Sequence, residues 1–400
     1  MRNISTSITF ILVSSLVACY TVIAPPEPSE AAARLIRVPL QRSIIQSAGT
    51  LGQPVVNYFS TVNIGTPSVS FKVQFDVGFN EHFVPHYSWN PFNTNLHYKS
   101  GFQCKSSKSC KKTNVEYTVN YQHVKLTGKP YEDVVSLMMG RANNTLGSPI
   151  NSTMATPNWR QNFLAMSSAS DGRFSSLPID GFFGLGPAPQ SSSGINSLLV
   201  SLHNSNLIDN LQFSIWFNPI LDSSYGGELI MGGVDTSRYD GQIFWHHLSG
   251  VATNQWLLNL QQVNLGNQVV GCSGGGKACQ AALSSGSSDI LGPRDEVQKI
   301  YSLLNTSKSS TGLALIDCRR IADLPYITFF VDGIPYYLLP SNYIRKTVDG
   351  HIFKKETCYV AILPSNDDAS RVWTLTTPFL GAFYSVFDVT QRQVGFAALK

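Results

Sequence analysis

Two short stretches bring an apolar run to a polar side chain at the mouth of a small-residue turn. Residues 73–79, VQFDVGF, place Asp76 there, and residues 279–293, CQAALSSGSSDILGP, place Ser284 there. A rigid strand entering a tight turn is where catalytic side chains are held in fixed geometry. A carboxylate at such a point acts as a base, or as an acid when protonated. A serine hydroxyl only hydrogen-bonds and holds no charge near neutral pH. Asp289 lies beyond the second turn and reads as a solvated loop residue rather than a replacement carboxylate.

Other constellations carry less. GCSGGGKA (271–278) approaches a phosphate-binding loop, but Ala278 stands where that loop needs Ser or Thr. Two cysteines bracket the stretch, which reads as a disulfide-closed turn. His246 and His247 would point to opposite faces of a strand, so they do not form a metal pair. Met138, Met139 and the scattered aromatics read as core. The sequence calls for neither a metal nor a cofactor.

The 400 residues, 43% hydrophobic and 14% charged, describe a packed chain with room for more than one domain. The net charge of +4 comes without long basic runs, which argues against a nucleic-acid partner. Lys105, Lys108, Lys111 and Lys112 cluster, yet they flank Cys104 and Cys110 as a solvated loop would. Residues 1–24 carry Arg2, an apolar stretch from Ile8 to Ala18 and small residues after it, the pattern of a secretory signal. No later segment is apolar for long enough to span a bilayer. One of the seven cysteines, Cys19, falls in this leader, and the other six are an even number suited to an oxidising compartment. Asn143, Asn151 and Asn305 open glycosylation acceptor triplets. The expectation is a secreted protein, or one delivered to a lysosome or vesicle, and a monomer.

The elements that must position Asp76 and Ser284 are mainly strands. YFSTVNI, FKVQFDV, YTVNYQHVKL and DVVSLMM are short β-rich runs broken by Gly, Pro, Asn and Ser. Helical spacing is clearest at 197–207 and 294–304. The chain also repeats loosely: VQFDVGF is followed by PIDGFFGLG, and AALSSGSS by TTPFLGAFYSVFD. This predicts two similar β lobes, 58–218 and 219–400, with a ligand cleft between them. Residues 25–57 form a linker, and LIRVPL within it could add an edge strand.

YFSTVNIGTPSVSFKVQFDVGFNEHFVP, IDGFFGLGP, GGELIMGGVD, CQAALSSGSSDILGP and YSVFDVTQRQVGFA, in that order, resemble the landmarks of pepsin-like aspartic proteases. The resemblance implies a mostly β, bilobal acid-protease fold: two pseudo-symmetric β-barrel lobes, a few short helices and a central cleft. It implies the disulfides Cys104–Cys110, Cys272–Cys279 and Cys318–Cys358. It also implies two facing aspartates that share a proton, one activating water while the other polarises the scissile carbonyl.

Asp76 matches the first of these aspartates, and Ser284 occupies the place of the second. With no charged neighbour, Asp76 is expected to ionise as an ordinary carboxylate. The family's Asp-Thr-Gly-Ser reads Asp76-Val77-Gly78-Phe79, so Val77 cannot brace the two turns through a hydroxyl and Phe79 crowds the water site. Phe83 stands where the family usually has Trp. The flap hairpin keeps Tyr121 but exchanges its glycines for Gln122 and Val124. Ser285 and Gly286 complete the second turn. RVPLQR (37–42) resembles the start of an inhibitory prosegment, with too few residues after it to form a whole one. The expected protein has lost peptidase activity and kept a cleft for a peptide, protein or glycan. The alternative is a weak aspartic-type endopeptidase using Asp76 with an unusual second group.

Overall fold

The computed structural model describes residues 34–45, 53–89, 101–112, 115–121, 124–140, 154–170, 177–220, 222–250, 254–272, 279–349, 355–365 and 371–400. The expected signal segment, Asn143, Asn151, Gln122 and residues 273–278 lie outside them. Ala33–Lys400 hold together as one unit. Its strands form a fifteen-stranded, an eight-stranded and a four-stranded sheet.

The strand Val69–Asp76 begins with alternating exposure, Ser70 and Lys72 out and Phe71 and Val73 in, and ends with Gln74, Phe75 and Asp76 all buried. Period-two alternation marks a strand with one wet face, and its loss marks entry into the core. Val55–Ile64 pairs with it antiparallel on one side, and Gly181–Gly184 pairs parallel on the other, with Gly184 opposite Asp76. Cys279–Leu283 repeats the arrangement. It pairs antiparallel with Leu257–Leu265 and parallel with Val372–Leu375, with Leu283 opposite Leu375. A strand bonded on both edges cannot shift register without losing both ladders. The turns that carry Asp76 and Ser284 are therefore fixed in place.

LIRVPL does become a strand, and over its own residues the described ladder runs along one side. Within Ile36–Ile45, residues 36–41 pair with Tyr225–Met231, and residues 41–45 pair with Val55–Ile64. Its Ile36, Val38 and Leu40 are buried, and that hydrophobic gain draws the strand inward.

Both expected helices form. Leu198–Asn204 is capped by Ser197, whose side chain accepts the N–H of Val200. Arg294–Leu304 buries Val297, Ile300 and Leu304 at helical spacing and ends on Asn305, left-handed at φ 53°. Asparagine tolerates that conformation, and Asn305 is exposed there. All three implied disulfides are present. The four lysines around the first of them are exposed.

Candidate functional site

Asp76 is 2% exposed, and hydrogen-bond donors surround it. Its Oδ1 accepts from the N–H of Gly78 at 2.8 Å, the hydroxyl of Ser284 at 3.0 Å and the N–H of Ser285 at 3.1 Å. Its Oδ2 accepts from the hydroxyl of Tyr121 at 3.0 Å. Two turns from distant parts of the sequence and the flap hairpin therefore converge on one carboxyl group. Asp76 does not behave as an ordinary exposed carboxylate. Burial pushes its carboxyl above the usual range and outweighs the opposing pull of Gly78, Tyr121, Ser284 and Ser285. Burial likewise pushes the Tyr121 hydroxyl well up, with the charge of Asp76 adding to the effect.

Ser284 thus faces Asp76 directly. Gly78 and Gly286 permit the close approach: a Cβ on Gly78 would come 2.7 Å from that of Ser284, and one on Gly286 would come 2.2 Å from Asp76 Oδ2. The brace between the turns, expected to fail because Val77 lacks a hydroxyl, survives in one direction. The Ser285 hydroxyl donates to the carbonyl of Phe75 at 2.8 Å and accepts the N–H of Val77 at 3.1 Å. Gln74 Nε2 adds a bond to the Ser285 carbonyl. Val77 itself is fully buried among apolar side chains.

The flap is held down by rings. Tyr121 packs 4.3 Å from Phe182, 5.0 Å from Phe79 and 6.0 Å from Phe83, centroid to centroid. Such edge and tilted contacts add to the burial energy. Phe83 and Phe79 offer no hydrogen bond to the phenol, which turns to Asp76. Val124 pairs with Tyr121 across the hairpin.

Asp289 is a correction. It is 4% exposed, not solvated, and accepts from Gln53 Nε2 and the Tyr359 hydroxyl, each at 3.3 Å. Burial raises its carboxyl, opposed by the charge of Arg345. It is absent from the lining of the cleft before Asp76, so it supplies no second carboxylate there.

One acid of the cleft escaped the sequence reading. Glu81 is 3% exposed and accepts from the hydroxyls of Ser191, Ser192 and Ser193 and the N–H of Ser193. Its only signal was a charged residue just past the Asp76 turn. The nearest approach to a metal cluster among the described residues is Cys272, Cys279 and Glu296. Its two sulfurs are joined in a disulfide, and the carboxylate accepts from the Cys272 N–H and Trp373 Nε1. His246 is buried against Asp332 and Tyr336, while His247 is exposed. Among the described residues, no helix is long and apolar enough to cross a membrane.

The family model described as eukaryotic aspartyl protease matches residues 57–399. The chain belongs to that family. It is 29% identical over 347 residues to cathepsin E-B of Xenopus laevis, covering 86% of this chain and 79% of the relative. Pepsin A of Sus scrofa is 28% identical over 366 residues, covering 90% and 87%. Cathepsin D of Mus musculus is 25% identical over 377 residues, covering 91% and 88%.

Proposed function

We propose that this family member is a secreted, non-proteolytic protein that uses the cleft between residues 58–218 and 219–400 to bind a ligand. The observation that carries the reading is the environment of Asp76. Its carboxyl is enclosed by protein donors, and the group facing it is the hydroxyl of Ser284. Peptide hydrolysis by this chemistry needs a base for water and an acid for the carbonyl at the same moment. One carboxyl group supplies one of these at a time, and a serine hydroxyl is too weak an acid to supply the other. Tyr121 donates to Asp76 Oδ2, so its hydroxyl competes with water for that oxygen.

The competing reading is a weak endopeptidase in which the flap lifts and Asp76 acts with a borrowed group. The raised carboxyl of Asp76 is the observation in its favour, because a protonated Asp76 could serve as the acid. Turnover of denatured haemoglobin or casein at acid pH, with and without an active-site-directed inhibitor, separates the two. Inhibitor-sensitive turnover that disappears in Asp76→Ala would overturn the binding reading.

A further inference from the structure

The cleft in front of Asp76 encloses about 750 Å³, a volume within the ordinary range of small-ligand sites. Among the described residues that line it there is no lysine, arginine or histidine. Its two acids are turned into the protein: Asp76 accepts from both turns and the flap, and Glu81 from three consecutive serines. An anionic ligand would lose its hydration here and gain no counter-charge, and a cationic one would find both carboxyl groups already engaged by protein donors.

The rest of the lining is uncharged, with apolar residues such as Val119, Leu283 and Leu291 beside neutral polar ones. Thr118, Asn120, Ser192, Asn254, Gln255 and Thr374 are among the latter. The Ser192 hydroxyl already donates to Glu81 and the Thr118 hydroxyl already bonds that of Thr127, while each amide carries donor and acceptor functions side by side. The half-buried ring of Phe79 adds an apolar surface to the same cleft.

The centre is closed to a continuous chain. A Cβ on Gly286 would come 2.4 Å from the Tyr121 hydroxyl, so flap and floor touch there and an extended strand has no passage between them. The ligand that fits is short, uncharged and dense in groups that both donate and accept, with an apolar face for Phe79. A pyranose has this character, with hydroxyls around its rim and C–H bonds on its face.

We infer that the cleft binds a short neutral saccharide. This rests on the reading that the cleft binds rather than cleaves. The test is calorimetric titration of the enzymatically deglycosylated full-length protein with neutral trisaccharides built on glucose, mannose, galactose and N-acetylglucosamine. At least one should bind. Asn254→Ala and Thr118→Val, both at exposed positions, should each weaken it roughly tenfold, about the loss of one good hydrogen bond. Tyr337→Ala, at an exposed position outside the cleft lining, should leave it unchanged. Absence of binding at millimolar concentration across the panel would overturn the inference. Binding that survives both cleft variants would overturn it as well. If a casein digest binds instead and Asn254→Ala weakens it, the saccharide inference falls and the non-proteolytic reading stands. Acid-pH cleavage of casein would count against the non-proteolytic reading, and the saccharide titration would still be read on its own result.

Discussion

The Tyr121 hydroxyl donates to Asp76 Oδ2 at 3.0 Å, and this bond ties the flap to the floor of the cleft. The contact joins a hairpin, the strand Val69–Asp76 and, through Ser284 and Ser285, the opposite turn. It also takes up one acceptor site on the oxygen that a base would use. Three phenylalanines keep the ring in place even without the bond.

Tyr121→Phe separates the bond from the packing. The ring stays in its cage, while Asp76 Oδ2 loses its partner in a buried site. An unsatisfied buried acceptor costs about 1–3 kcal/mol. Thermal or denaturant unfolding should show a loss of that size at neutral pH, where Asp76 is most charged, and a smaller loss at pH 4. An equal loss at both values would mean that the hydroxyl does not interact with the carboxylate.

The raised carboxyl of Asp76 has a definite sign. In the unfolded chain the group titrates near 3.8, and in the fold it titrates higher because burial penalises the charge. Its contribution to stability is fully present below about 3.8 and is lost as pH rises through the folded value. Asp76→Asn keeps an acceptor for Gly78, Ser284 and Ser285 and removes the titration. The variant should therefore gain stability relative to the unmodified protein at pH 7, and gain less at pH 4. Chemical denaturation at the two values measures the difference. A greater relative gain at pH 4 would reverse the assigned shift.

Ser285→Ala tests the surviving brace. Its hydroxyl satisfies the Phe75 carbonyl and the Val77 N–H, both in a buried region. Leaving the two groups unpaired should cost about 2 kcal/mol or more. Val77→Thr should move stability less, because the buried hydroxyl that it adds can bond across to the second turn as the missing half of the brace. Unfolding midpoints that rank the two variants the other way would mean that the turns are held by packing alone.

The strands themselves were legible from local signals. Alternating apolar residues and small-residue turns marked the two central strands, and apolar spacing marked Leu198–Asn204 and Arg294–Leu304. Asp76, Ser284 and Tyr121 were legible because each stands in a motif with a fixed offset. What the sequence hid depends on contacts between distant segments. Asp289 looked solvated because it follows a serine-rich turn, yet Gln53 and Tyr359 close over it. LIRVPL sits in a linker-like region, and the strand that pairs with it, Tyr225–Met231, lies far along the chain. The upward shift of Asp76 could not be read from charge spacing, because its cause is burial rather than a neighbouring ion.

Restoring the missing aspartate alone should leave proteolysis near the detection limit. Ser284→Asp returns a second carboxyl beside Asp76, but Tyr121 still sits on Oδ2 under Phe79. The site is also tight: the Cβ of Ser284 lies 2.7 Å from where a side chain on Gly78 would begin, so the added carboxyl has little freedom to adjust. A catalytic group misplaced by about 1 Å loses on the order of a hundredfold in rate. Phe79→Ser removes one wall of the cage and opens room for water, and Val77→Thr adds the second half of the brace that Ser285 now makes alone. Ser284→Asp combined with Val77→Thr and Phe79→Ser should therefore give measurable acid-pH cleavage of denatured haemoglobin, at least about a hundredfold above the single variant. The activity should be abolished by Asp76→Ala. Substantial cleavage by Ser284→Asp alone would mean that the first turn and flap remain competent, and that Ser284 is the sole block.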